Sequence, residues 1–385
     1  MSAARSRRLE PWTALAAILA LAAFLAPLGT GAAQGEMHFF WQFPVSAGFL
    51  LLLAGACGYF AWRRPAETAA TALLLGLVVL GAGLALDLLH NRGLAGTAGP
   101  GFWLLVLALW AAAWRAIDGI AEFRSLDRGL QRLADLLVPA AFGLWLVFLW
   151  EAVTVGFGVP QVLLPPPSMI VERIAGSLDI LAADFHQTFV KAVLSGYVLG
   201  CGSAFLVAIL VDRVPFLQRG LLPLGNLVSA LPIVGIAPIM VMWFGFDWQS
   251  KAAVVVVMTF FPMLVNTVTG LAAAGALERD LMRSYGAGYW HALVKLRLPA
   301  AMPFIFNALK INSTLALIGA IVAEFFGTPI VGMGFRISTE VGRMNVDMVW
   351  AEIVMAALAG SAFYGLVALA ERGVTFWHPS YRQRR

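Results

Sequence analysis

Few side chains in this sequence are of a kind that does chemistry, and the densest group of them lies at 277–303, LERDLMRSYGAGYWHALVKLRLPAAMP. It carries Arg279, Arg283, His291, Lys295 and Arg297 against only Glu278 and Asp280. This basic island is flanked by the apolar runs 252–271 and 300–323, so it offers charge and hydrogen bonding at a membrane surface. Two readings fit that equipment: a docking device, or an ordinary loop kept in the cytoplasm by its positive charge. The pattern alone leaves both open.

Elsewhere the candidates are sparse. Glu151, Glu324 and Asp87 fall near the outer ends of apolar runs, where hydrated, structural carboxylates are common. Lys310 lies roughly two to three turns into its run, from where it can snorkel to the inner face. No buried acidic chain of the kind a proton-driven carrier needs is visible. The 5 histidines, His38, His90, His186, His291 and His378, sit in loops or near run ends, as interfacial residues rather than ligands. There is no G-x-x-x-x-G-K-[ST] phosphate loop, so the chain is not itself an ATPase. Neither H-E-x-x-H nor paired-cysteine spacing occurs, and Cys57 and Cys201 both fall in apolar runs, which argues against a disulfide or metal framework. No catalytic residue, metal or cofactor is expected.

The elements that must position these groups follow from composition. The 385 residues are 61% hydrophobic and 12% charged, with a mean hydropathy of +0.84; an average soluble domain is about a quarter charged. Apolar runs of roughly 20 residues, the length that crosses a hydrocarbon core as helix, recur along the whole chain. The fold class is all-α and polytopic, with about ten transmembrane helices. The net charge of +5 fits loops facing an anionic lipid leaflet and does not argue for nucleic acid.

In order, the spans are 12–29, 41–61, 68–89 and 101–117, then 136–155, 188–211, 221–244, 252–271, 300–323 and 350–371. The first could instead be a cleaved signal segment, since GTGAAQG follows it. The charged linker 118–132 marks a module boundary, giving a four-helix module over 1–130 and a second module over 131–385. Arg and Lys concentrate in alternate loops, which places both termini in the cytoplasm. Pro165-Pro166-Pro167-Ser168 starts a short helix over 169–178 with Ser168 as its cap. Ser195, Gly196, Gly200, Gly202 and Ser203 let the span 188–211 pack closely. The stretch 221–244 is interrupted by Pro223, Pro232, Gly235 and Pro238, and broken backbone at membrane depth suits a cavity lining or a buried kink. Ser229, Pro232, Gly235, Pro238, Met240, Asn266 and Asn312 are the candidate pathway residues. Within the basic island, Gly286 and Gly288 separate two short helices, 277–285 and 289–296, and Pro299 suits the first turn of the next one.

Gly286, nine residues, then Leu296-x-Leu298-Pro299 resembles the EAA loop of ABC importer permeases, although Asp280-Leu281-Met282 stands where Glu-Ala-Ala would be. From about Asp135 onward further segments fit the same family, in its nitrate, sulfonate and taurine branch. They are Pro167-Ser168, Thr188 to Gly202, Leu231-Pro232 to Pro238, Trp243-Phe244-Gly245, Phe261-Pro262, Asn266-Thr267 and Ala323-Glu324. The resemblance implies a type I ABC importer permease core of six spans in the bacterial inner membrane, forming a dimer. It implies two copies of a separate ABC ATPase subunit and a periplasmic substrate-binding protein as partners. Asp280, Arg283, Gly286, Leu296, Leu298 and Pro299 then belong to the ATPase-coupling loop 277–299. An ion- or proton-coupled secondary carrier is the alternative from another class, and a non-transporting membrane scaffold a third reading. Residues 1–130 lie outside the resemblance.

Overall fold

The computed structural model describes residues 10–30, 37–63, 67–124, 127–229, 232–327 and 330–377. By internal packing the chain forms two units, Met1–Met169 and Ile170–Arg385.

The first unit contains helices α1 (Pro11–Leu25), α2 (Pro44–Arg63), α3 (Glu67–His90), α4 (Pro100–Glu122) and α5 (Arg128–Gly156). Glu10 caps α1 by accepting from the Thr13 amide at 2.7 Å, and Asp127 caps α5 by accepting from the Gly129 amide at 2.7 Å. Both satisfy amides that a helix start leaves without intrahelical partners. A two-residue antiparallel pair, Gly29–Thr30 with Met37–His38, closes the α1–α2 connection. The core is alanine- and leucine-rich, with Phe40 and Phe102 fully buried in it.

Trp145, Phe148 and Ala152 of α5 belong to that same core. The packing division therefore falls later than the charged linker 118–132, and α5 goes with the first four helices. Charge marks where a chain leaves the membrane, whereas packing is decided along the apolar length of the helix. Glu151, expected to be hydrated, is 5% exposed. It accepts from the Ser168 amide at 2.9 Å and the Ser168 hydroxyl at 2.6 Å, and it contacts His90 Nε2 at 2.8 Å. Ser168 is thus a partner of Glu151; the short helix α6 (Pro167–Gly176) starts one residue before it.

The second unit follows with α7 (Leu178–Phe185), a π-helical segment His186–Val193, α8 (Leu194–Arg213), α9 (Pro215–Ser229), α10 (Ile233–Phe244) and α11 (Trp248–Ala272). Then come α12 (Ala276–Ser284), α13 (Tyr289–Ala292), a π segment Leu293–Arg297, α14 (Leu298–Glu324), α15 (Met333–Gly342) and α16 (Val346–Val374). Its core is the α8–α11–α14 bundle. Gly196 makes the close approach possible, since a Cβ there would lie 2.6 Å from Val255 Cβ and 2.7 Å from the Ala252 carbonyl. Lipid tails are as apolar as leucine, so this backbone-to-backbone packing, rather than a hydrophobic drive, holds the helices together.

Among the described residues, 8 helices are long and apolar enough to cross a membrane. The π segments join their neighbours into two 36-residue helices, Leu178–Arg213 and Tyr289–Glu324. The remaining two expected spans are helical but short: α1, and the interrupted stretch that becomes α9 and α10, with Pro232 as the cap of α10. The protein is all-α and polytopic.

Candidate functional site

The basic island folds as a helical hairpin at one end of the second unit. α12 presents Leu277, Leu281 and Tyr285, spaced four residues apart on one face and 81%, 57% and 83% exposed. Trp290 and Val294 continue the apolar surface beyond the turn, both largely exposed. Asp280 and Arg283, an exposed pair at 3.6 Å, lie on the same helix. The turn is made at Gly286, whose φ of 71° is in the left-handed region. Its amide donates to the Arg283 carbonyl at 2.9 Å, and the Ala287 amide to Met282 at 3.0 Å, closing α12. Nothing lies within 4 Å of where a Cβ on Gly286 would be. Its glycine is therefore required by backbone conformation and not by close approach of a neighbour.

The second arm differs from the expected short helix. Residues 289–296 do not end before Pro299; they run through the π segment into α14. Pro299 has no N–H to give the preceding turn, and the widened π turn accommodates that loss without stopping the helix. Leu296, Leu298 and Pro299 are half-buried at the base of the hairpin, while Asp280, Arg283 and Gly286 are exposed.

A polar lock fixes this arm to the end of α8. Arg297 donates to Asp212 through Nη1 at 2.8 Å and Nη2 at 2.5 Å, and through Nε to the Leu271 carbonyl at 3.0 Å. Tyr289 donates its hydroxyl to Asp212 Oδ2 at 2.9 Å. The Arg213 guanidinium sits 5.1 Å from the Tyr289 ring centre and 5.9 Å from that of Trp290. The sequence reading missed Asp212 and Arg213, and their only local signal is a charged pair in a tight loop.

The candidate pathway residues are dispersed. Pro232 and Gly235 are exposed at the start of α10, and Pro238 is half-buried. Met240 packs on Ala237, Val254 and Ala323. The backbone of Ser229 ends α9, and its side chain lies outside the described set. Asn266 is half-buried and donates to the Pro262 carbonyl at 2.8 Å. Asn312 is fully buried inside the α8–α11–α14 bundle. It donates to the Thr259 carbonyl at 2.8 Å and to Cys201 Sγ at 3.2 Å.

At the other end of α14 lies a polar cluster that was not anticipated. Glu324, 2% exposed, accepts from Thr188 Oγ1 at 2.8 Å and from the Gly334 amide at 2.7 Å. The Met333 amide donates to Thr188 at 2.8 Å, and the Gly332 amide donates to Asp184 at 2.6 Å. Gly332 has φ 143°, and a Cβ there would lie 2.7 Å from the Glu324 carboxylate. Arg336 binds Asp184 at 2.8 Å, and that carboxylate raises the guanidinium pKa further above its usual range. Lys251 donates to the Phe246 carbonyl at 2.6 Å and also to that of Gly327. Glu352 is fully buried beside Asp184, and no donor other than a proton shared between the two carboxyls reaches it among the described residues. Buried acids thus do occur together here, contrary to the sequence reading. They fasten the start of α15 to α7, the first π segment and α14. Lys310 likewise does not snorkel: its Nζ is 2.7 Å from Glu371.

Apolar spans, an interrupted helix and a locked hairpin with an exposed apolar face define a membrane transport component. A family model described as "Binding-protein-dependent transport system inner membrane component" matches residues 196–376. The formylaminopyrimidine transport permease protein ThiX of Halalkalibacterium halodurans is 30% identical over 252 residues, covering 64% of this chain and 98% of that protein. The riboflavin transport system permease protein RibX of Chloroflexus aurantiacus is 29% identical over 256 residues, 66% of this chain and 95% of that protein. The taurine transport system permease protein TauC of Escherichia coli is 29% identical over 241 residues, 60% of this chain and 86% of that protein. The chain belongs to the family of binding-protein-dependent transport system inner membrane components. It is a multi-pass permease subunit, a transport protein rather than an enzyme.

Proposed function

We propose that this permease imports a small organic solute by alternating access, driven by ATP hydrolysis on a separate subunit. The exposed stripe Leu277, Leu281 and Tyr285, on a hairpin clamped to α8 and α11 through Arg297, carries the reading. An apolar, protruding face at a membrane surface needs a protein groove to cover it, and a clamped arm passes the push of that partner directly into α14. Asp280, Arg283 and Gly286 lie on the docking side of the hairpin. Leu296, Leu298 and Pro299 form its hinge.

Two ATPase subunits, a permease homodimer and a periplasmic binding protein complete the assembly, with both termini and the hairpin in the cytoplasm. α10 with Pro232, Gly235, Pro238 and Met240, the end of α9 at Ser229, and Asn266 on α11 face the pathway. The solute is a heteroaromatic vitamin precursor or a sulfonate-, taurine- or nitrate-like anion. The uncharged composition of α10 and the similarity to ThiX and RibX favour the former. Residues 1–130 form an accessory membrane module.

A photo-crosslinking amino acid at Leu281 or Tyr285 tests the docking in native membranes. It should capture a nucleotide-binding ATPase subunit, identified by mass spectrometry, and the same group at the exposed Leu199 of α8 should not. Adducts to lipid alone at all three positions would overturn the coupling role.

A further inference from the structure

Between α3, α4 and α5 of the first unit a cleft runs from a mostly apolar mouth, edged by a few polar side chains, into an apolar channel. The mouth, about 440 Å³, is bounded by Thr68, Thr71, Glu122 and Arg124. The channel, about 300 Å³, shares Leu75, Ile120 and Leu137 with it and continues to Trp145 and Phe148. Along α5 the channel extends from Leu137 to Phe148, about 16 Å at 1.5 Å per residue. That is half of a hydrocarbon core of about 30 Å, the depth of one leaflet.

The mouth holds groups without a ligand of their own. The Thr71 hydroxyl is sealed against Gly119 and has no hydrogen-bond partner among the described residues, so it edges the mouth without facing a ligand. Arg124 donates only to the backbone carbonyls of Ala121 and Phe123 among the described residues. Glu122, exposed, forms no ion pair among them. A carboxylate and a guanidinium two residues apart match a ligand with one positive and one negative charge. A purely anionic head group would meet Arg124 but also a like charge at Glu122.

We propose that this cleft binds one phospholipid with a primary ammonium head group. Its acyl chain fills the channel, its phosphate sits at Arg124, and its ammonium sits at Glu122. The orientation proposed above makes it an inner-leaflet lipid, but the head-group assignment does not depend on the transport reading.

The test is native mass spectrometry of the full-length protein released from nanodiscs of equal phosphatidylethanolamine and phosphatidylglycerol. Wild type should retain one phosphatidylethanolamine per chain in preference to phosphatidylglycerol. Glu122→Gln should lower that preference about fivefold, the worth of one exposed charge contact. Arg124→Gln should lower retention of both lipids, and Ala141→Phe, which fills the channel, should remove it. The two charge variants are at exposed positions, so folding is not at issue for them. Equal retention of both lipids by wild type, or retention unchanged in Arg124→Gln, would overturn the proposal.

Discussion

Arg297 and Asp212 meet as a two-pronged ion pair, with nitrogen–oxygen distances of 2.8 and 2.5 Å, across 85 residues of sequence. Their side chains are 17% and 9% exposed, and the Tyr289 hydroxyl shares the same carboxylate. Breaking a buried pair from one side leaves a desolvated charge behind, which costs about 3 kcal/mol. Asp212→Ala should therefore destabilise the detergent-solubilised protein by about that amount, and Tyr289→Phe by about 1 kcal/mol. In a double-mutant cycle, Asp212→Ala with Arg297→Ala should cost clearly less than the sum of the singles. Strict additivity of their unfolding free energies would show that the lock contributes nothing.

Gly286 is a conformational requirement only, because the space around it is open. An L-residue in the left-handed region costs roughly 1–2 kcal/mol, least for Asn and most for a β-branched side chain. Gly286→Asn should keep coupling, Gly286→Ala should weaken it and Gly286→Val should remove it. Insertion and dimerisation should be intact in all three, since these depend on the spans. Substrate-stimulated ATP hydrolysis in reconstituted complexes measures the order. Equal activity of the Asn and Val variants would show that the turn geometry does not matter.

What the sequence disclosed follows from range. A span is a run of about 20 apolar residues, so 8 of the ten expected were legible locally and appear among the described residues as helices long enough to cross a membrane. The hairpin was legible because Gly286 and Leu298-Pro299 are a dozen residues apart. Asp212 with Arg297, and Thr188 with Glu324 across 136 residues, become partners only when helices pack, and no local pattern announces them. Asn312 was read as a pathway residue because polar groups in spans so often are; that Thr259 and Cys201 are its partners inside the bundle is another relation no local pattern announces. The charged linker suggested a boundary before α5, but Trp145 and Phe148 are decided by shape along the helix, which composition does not encode.

Thr188 is the centre of the cluster at the far end of α14, donating to Glu324 and accepting from the Met333 amide. Thr188→Val keeps the shape and removes both bonds, leaving a buried amide unsatisfied at a cost of about 2–3 kcal/mol. The start of α15 should loosen while the α8–α11–α14 bundle stays folded. Amide hydrogen exchange at Met333 and Gly334 should speed up at least tenfold per 1.4 kcal/mol lost. Unchanged exchange there would mean that Asp184 and Arg336 alone hold the segment.

Asp247 caps α11 outside the spans. It accepts from the Trp248 amide and from Gln187 Nε2, both at 2.8 Å, and the Gln187 bond first, then the amide, lowers its pKa. A carboxyl whose folded pKa lies below its unfolded value contributes stability that is fully present above the unfolded value, about 3.9, and lost as pH falls through the folded one. Wild-type stability should therefore decline on acidification below about pH 4, and Asp247→Asn should flatten that decline. Thermal unfolding from pH 7 down to pH 3 provides the comparison. Parallel curves for the two proteins would remove Asp247 from the account.

The first four helices should be dispensable for transport. About two thirds of this chain covers 95% or more of RibX and ThiX, so a permease of this family needs no counterpart of the remainder. A truncated protein beginning at Asp127 keeps the cap of α5. It loses the cover over Trp145, Phe148 and Ala152, but those side chains would then face lipid, which is as apolar as the core they leave. Glu151 loses His90 yet keeps both bonds from Ser168. The truncated protein should therefore insert, assemble with the ATPase and retain ATP-dependent uptake in proteoliposomes. Its uptake must be compared with full-length protein at matched insertion, because the missing helices also carry the cleft between α3, α4 and α5. Normal insertion with no uptake would make the first four helices part of the transport mechanism.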